Sequence, residues 1–227
     1  MDINLSFVEN KGPVFDKVIR TEKDLGKIEK IHNIEKLDYV FNTIKLLKKE
    51  LAGKKPLIGF IGSPWTVATY IIEGNSSKTF TNVLKMLEYD EKLLHKILDM
   101  LTNISIDYLN KQIESGIDVA MIFDTWGSLL NDEQYEKFSL RYINKIKNAI
   151  ANQDIPLIYY VRETGRKLEA LKNLDINVLG IDSTTDIGVI KKEIGDKFAL
   201  QGNLDVNILK KDESDIIAAI KNILTSY

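Results

Sequence analysis

Five short and almost uninterrupted apolar segments do most to limit what this chain can become. They are residues 56–61 (PLIGFI), 118–124 (DVAMIFD), 156–161 (PLIYYV), 177–182 (NVLGID) and 198–203 (FALQGN). A strand with one face in water alternates apolar and polar residues; a strand covered on both faces does not. These segments therefore read as strands of a parallel sheet. Helical periodicity fills the gaps. Leu93, Leu94, Ile97, Leu98, Leu101 and Ile104 form one stripe, and Ile216, Ile217, Ile220, Ile223 and Leu224 form another. Asp132 predicts a helix start, and Thr21 with Asp24 three residues on is a weaker relative of the capping box. The alternation of strand and helix predicts a parallel α/β architecture, either an open doubly wound sheet or a (β/α)8 barrel. A barrel needs eight strands. With five, it is incomplete and its sheet has two raw edges.

The 227 residues carry no repeat, low-complexity tract or Pro/Gly-rich linker, so residues 1–227 read as a single domain. A net charge of −2, with Lys and acidic residues interspersed, offers no nucleic-acid surface. The absence of Cys excludes disulfides, thiolate metal sites and Cys nucleophiles, and with no paired His the chain has no visible metal site. No apolar run approaches membrane-span length and no signal peptide is visible at MDINLSFVENKG, so a cytoplasmic protein is expected. Neither a G-x-G-x-x-G nor a G-x-x-x-x-G-K-[ST] motif occurs, which removes the two commonest nucleotide-binding uses of such a sheet.

Ligands of parallel α/β folds sit in the loops after the strands. Those loops hold Gly62, Ser63, Pro64, Trp65 and Thr66, with Tyr70 on the helix that follows; then Asp124, Thr125 and Trp126; Arg162, Glu163 and Thr164; Asp182, Ser183 and Thr184; and Gln201, Asn203 and Asp205. Thr125 and Ser183 also suit helix caps, the aspartates suit caps and turns, and the tryptophans suit packing. Arg162 is the most suggestive, because a charge at a barrel mouth costs desolvation unless an anion meets it. It is one of four arginines, with Arg20, Arg141 and Arg166, able to grip a carboxylate in bidentate fashion. His32 and His95 both read as solvated helix positions.

At these same strand ends the chain resembles the uroporphyrinogen decarboxylase family. PLIGFIGSPWTVATYIIEGNSSKTF from Pro56, MIFDTWGSLL from Met121, VLGIDSTTDIG from Val178 and ALQGNLD from Ala199 match its segments in order, and FVENKGPVFDKVIRTEKDL near the start resembles its connection into this region. The resemblance implies a homodimeric (β/α)8 barrel, without metal or organic cofactor. It implies an enzyme of heme and chlorophyll synthesis that removes the four acetate carboxyl groups of uroporphyrinogen III to give coproporphyrinogen III. By the same match, Tyr70 is the substrate-contacting tyrosine, Thr125 the substrate-contacting hydroxyl, and Arg162 a cation where the family usually has Lys.

The resemblance also marks departures. The family's RQAGR motif on the first strand, its aspartate after the second and its GHG histidine after the eighth have no counterpart here, and Ser183 replaces its usual Trp. Strands eight, one and two are thus expected to lie outside this sequence. The chain alone is expected to have little or no activity, no catalytic residue being assignable, and to melt early or without cooperativity. A non-catalytic derivative that pairs with another chain is the alternative. A zinc- or cobalamin-dependent methyltransferase on the related barrel would need Cys ligands that are absent.

Overall fold

A computed structural model describes residues 5–9, 12–28, 34–75, 77–150 and 154–227. All five expected strands are present: β3 (Ile58–Gly62), β4 (Val119–Asp124), β5 (Leu157–Val161), β6 (Val178–Gly180) and β7 (Ala199–Gln201). They form one parallel sheet in the order β3-β4-β5-β6-β7. That order chooses between the two architectures left open by the sequence. A doubly wound sheet reverses its strand order at a switch point, whereas here every strand pairs with its sequence neighbours, as in a barrel wall. The chain is an α/β protein of TIM-barrel type with five strands among the described residues. A hairpin not foreseen from the sequence, β1 (Leu5–Val8) with β2 (Gly12–Phe15), precedes the sheet.

The helices are α1 (Glu22–Ile28), α2 (Asp38–Leu51), α3 (Pro64–Glu73), α4 (Thr81–Tyr89), α5 (Glu91–Glu114), α6 (Asp132–Tyr135), α7 (Arg141–Ala149), α8 (Thr164–Leu171), α9 (Ile187–Ile194) and α10 (Glu213–Ser226). The α5 stripe packs as its period predicts: Leu93, Leu94, Ile97, Leu98 and Leu101 are buried, and Ile104 is half-buried. The stripe of α10 does not; none of its five residues is buried, and Ile217, Ile220 and Leu224 are exposed. Thr21 and Asp24 form the expected reciprocal cap of α1, the Thr21 amide bonding Asp24 Oδ2 at 3.1 Å and the Asp24 amide bonding Thr21 Oγ1 at 3.2 Å. The cap of α6 is Asn131, one residue before the Asp132 expected, in a full capping box with Gln134.

One face of the sheet turns toward the helices. Ile61, Ala120, Ile122, Tyr159, Val161 and Leu179 lie there within the main core. Gly59 shares that face because a Cβ would strike Ile117 and Gln112 at 2.6–2.8 Å. The alternate residues point to the opposite face. There Phe60, Phe123 and Tyr160 form an edge-on aromatic row across β3, β4 and β5, each centroid 5.8 Å from the next, and Phe60 is 61% exposed.

Polar residues just before β4 and β6 pin the start of the strand that precedes each. Asp118 Oδ2 accepts the Leu57 amide at 2.7 Å, and Asn177 Oδ1 accepts the Leu157 amide at 2.8 Å. Arg20 is structural as well: its guanidinium donates to the carbonyls of Ile72 and Glu73 at the end of α3. His95 departs from the sequence expectation. It is not solvated but half-buried, stacked on Phe138 at 4.9 Å and sharing a 2.6 Å hydrogen bond with Tyr142, because the α5 face that carries it packs on α7. His32 lies outside the described residues. No described helix is long and apolar enough to cross a membrane.

Candidate functional site

The loops after β3, β4 and β5 meet at one end of the sheet. After β3 the chain turns directly into α3. Ser63 is its N-cap, accepting the Thr66 amide at 3.0 Å, and Pro64 fits the first turn because that position needs no amide hydrogen bond. Three turns of α3 present Tyr70 half-buried, and Gly74 ends the helix at φ 90°. Just beyond, the buried carboxylate of Glu73 reaches forward to accept the amides of Asn82 and Val83 at 2.7 and 3.0 Å, so it caps α4 from the preceding helix.

β4 ends at Asp124, which has no exposed surface. Four hydroxyl groups converge on it. Ser63 and Thr66 donate to Oδ1 at 2.5 and 3.1 Å; Ser139 and Tyr159 donate to Oδ2 at 2.5 and 2.7 Å. The Tyr135 and Tyr159 hydroxyls are 2.7 Å apart, which extends the chain. Burial pushes the Asp124 carboxyl above the usual carboxylate range, and the hydroxyl donors pull the other way. Tyr159 and Tyr135 are pushed well above the ordinary phenol value, first by burial and then by the neighbouring Asp124 charge. Ser139 reaches the cluster from a π-helical turn, Glu136–Leu140, between α6 and α7. Such turns insert one residue into an α-helix and recur at functional sites.

The turn after Asp124 carries Thr125 and Trp126. Trp126 is clamped at both main-chain ends: its amide donates to Thr66 Oγ1 at 3.1 Å, and its carbonyl accepts the Trp65 indole N–H at 2.8 Å. Its ring packs on Phe80 at 4.6 Å and meets Tyr70 edge-on at 6.4 Å, and the Arg162 guanidinium lies 5.5 Å from the indole. The Trp126 Nε1 atom is buried without a hydrogen-bond partner.

Trp126 therefore gathers the residues that the sequence singled out. Tyr70 and Arg162 both lie against its ring, and Thr125, half-buried, precedes it. The other strand ends stay outside this group. Asp182 accepts the amides of Glu163 and Thr164, Ser183 and Gln201 are exposed, and exposed Asp205 accepts the Asn207 amide in its own turn. Neither Thr125 nor Ser183 is a helix cap; Asp186 caps α9. Of the other arginines, Arg166 pairs with Glu163 and Arg141 lies over Tyr142. Ser139 and Tyr159 were not foreseen as partners of Asp124, nor Tyr135 as the partner of Tyr159. The one signal available was an acid closing an apolar strand. Among the described residues no three His, Asp or Glu side chains converge as a metal site.

Residues 1–227 match the family model described as uroporphyrinogen decarboxylase (URO-D). The chain is 40% identical over 231 residues to the uroporphyrinogen decarboxylase of Cellvibrio japonicus, covering all of this chain and 65% of that protein. It is 42% identical over 199 residues to the uroporphyrinogen decarboxylase of Coxiella burnetii, covering 86% of this chain and 55% of that one. It thus spans less than two thirds of these relatives' length. Among solved structures, a methyltransferase from Methanosarcina mazei superposes on the whole chain and 67% of its own with a TM-score of 0.79 at 18% identity, a likeness of fold alone. With a family match from the first residue to the last, this chain belongs to the uroporphyrinogen decarboxylase family.

Proposed function

We propose that this chain supplies one wall of a site that decarboxylates the four acetate side chains of uroporphyrinogen III, giving coproporphyrinogen III in porphyrin synthesis. The observation that carries this reading is the convergence of Tyr70 and Arg162 on the ring of Trp126, beside Thr125, at the strand ends. The Tyr70 and Thr125 hydroxyls serve as hydrogen-bond partners of the tetrapyrrole. Arg162, seated against the indole, meets an acetate carboxylate; a guanidinium on an aromatic face keeps its N–H edge free for bidentate contact.

The chemistry needs no organic cofactor. An electron-rich pyrrole protonated at a ring carbon becomes the electron sink for loss of CO2; a second proton converts the resulting exocyclic methylene to a methyl group, and the ring carbon then releases the first proton, restoring the pyrrole with one proton consumed for each CO2 lost. The protein must hold the polyanion, stabilise the cation and deliver protons. Within these residues Tyr70, Thr125 and Arg162 hold the polyanion and none is assigned as proton donor to the ring carbon, so this stretch by itself is expected to bind substrate without turning it over. The working form is a homodimer in the cytoplasm.

Anaerobic calorimetry with uroporphyrinogen III tests this, alongside chromatography of the products. Binding without coproporphyrinogen is expected, and Tyr70→Phe and Arg162→Gln should each weaken binding about tenfold. Failure of the unaltered chain to bind, or binding indifferent to both substitutions, sinks the reading.

A second reading, a non-catalytic chain that pairs with a partner, draws support from the unpaired outer edges of β3 and β7 among the described residues and from exposed Phe60. It predicts a stable complex in size-exclusion chromatography with light scattering and no response to uroporphyrinogen.

A further inference from the structure

Resting on the decarboxylase reading, we propose that Asp124 is a positioning residue for that site: its buried carboxylate holds together, from behind, the three elements that carry Tyr70, Thr125 and Arg162. The connections are direct. Ser63 and Thr66 open α3, the helix of Tyr70, and both donate to Oδ1. Thr125 follows Asp124 in the chain, and Thr66 accepts the amide of the next residue, Trp126. Tyr159 lies on β5, three residues before Arg162, and donates to Oδ2.

The hydroxyl hydrogens run one way. Ser63 Oγ accepts the Thr66 amide, and Thr66 Oγ1 accepts the Trp126 amide, so each sends its single hydrogen to Asp124. Ser139 comes from elsewhere, on a π-turn that no substrate contact requires, and occupies a further acceptor position on Oδ2. Two carboxylate oxygens offer about four acceptor positions, and four hydroxyls use them. Gly127 leaves room for this, since a Cβ there would lie 2.5 Å from Asp124 Oδ2. The arrangement is stiffer than an apolar contact, because each of the four hydroxyls is directed at one oxygen of the Asp124 carboxylate. None of these groups besides Asp124's own loop needs to touch substrate.

Ser139 is the place to test it, being the member farthest from the proposed ligand contacts in chain terms. Ser139→Ala should weaken uroporphyrinogen binding about tenfold, with Ser139→Thr restoring the hydroxyl and most of the affinity. Ile190→Val, a buried trimming in α9 of similar cost to stability, should leave affinity unchanged. Independently of any ligand, Ser139→Ala should shift the Trp126 amide and indole resonances in nitrogen–proton NMR spectra and speed the exchange of the amide. Ile190→Val should not. The inference is overturned if the Trp126 signals stay in place in Ser139→Ala or move equally in Ile190→Val. Those NMR arms read Asp124's role even if the unaltered chain fails to bind, a result that would count against the decarboxylase reading alone.

Discussion

The Trp65 indole N–H donates to the main-chain carbonyl of Trp126 at 2.8 Å, so one of the chain's two tryptophans holds the backbone of the other. Trp65 is fully buried at the start of α3. Trp65→Phe removes that donor, strands a carbonyl and leaves a gap. It is expected to cost about 2 kcal/mol, from a lost hydrogen bond and lost packing together. Urea titration followed by the emission of Trp126, then the sole tryptophan, should show a lower midpoint with an unchanged slope.

Tyr159 and Tyr135 should be unequal. Tyr159 both donates to Asp124 and meets the Tyr135 hydroxyl, whereas Tyr135 ends the chain. Tyr159→Phe therefore leaves two buried groups short of a partner and should cost about 2–3 kcal/mol, against about 1 for Tyr135→Phe. Both phenols are pushed up by burial, so the folded state keeps their protons. The stability they give is complete below the unfolded phenol pKa, about 10, and is lost as pH rises through the higher folded values. Alkaline titration should release their phenolate absorbance only with unfolding, and each Phe variant should reduce that coupled step.

Gly127 should not accept a methyl group. A Cβ there would lie 2.5 Å from Asp124 Oδ2, 2.8 Å from Tyr135 Cε2 and 2.9 Å from Val161 Cγ2. All three belong to fixed, buried side chains, so Gly127→Ala should destabilise by about 1–3 kcal/mol, the usual range for overpacking. Thermal melting against the unaltered chain checks it.

Asp118 supplies a pH-dependent pin at the opposite end of the sheet. The Lys48 ammonium at 2.7 Å and the Leu57 amide hold its carboxyl below the usual range. For a lowered acid the sign is that stability is present above the unfolded pKa, about 3.9, and lost as pH falls through the folded value. The pair is about one third exposed, so Asp118→Asn should cost no more than about 1 kcal/mol at neutral pH. Urea midpoints of the two proteins should converge in acid, and do so earlier in high salt.

The strands were legible because burial on both faces writes itself as continuous apolar sequence. Their starts were less so. Asp118 and Asn177 were counted as strand residues, but their side chains serve the neighbouring strand's first amide, a long-range role that no local pattern records. The β1–β2 hairpin escaped because β1 is exposed along its whole length and so has no apolar alternation. Tyr70, Thr125 and Arg162 were singled out by position, while what brings Tyr70 and Arg162 together is Trp126, whose indole reads in sequence as simple packing. Asp124 suited a cap or a turn. Its partners lie 15 to 61 residues away, on α3 with its cap, the π-turn and β5, and nothing in spacing links them. Ser139 was invisible for a sharper reason: a period of 3.6 residues cannot describe a π-turn.

That turn has a consequence for chain length. Upstream of it Tyr135 is oriented toward Tyr159; downstream Tyr142, Ile143 and Ile146 are buried in α7. Losing one residue within Glu136–Leu140 would rotate one side against the other by about 100°. Either the Tyr135 hydroxyl or the α7 apolar face would then turn to solvent. What the segment preserves is a count as much as a composition, and a single-codon deletion there should be worse tolerated than most substitutions around it.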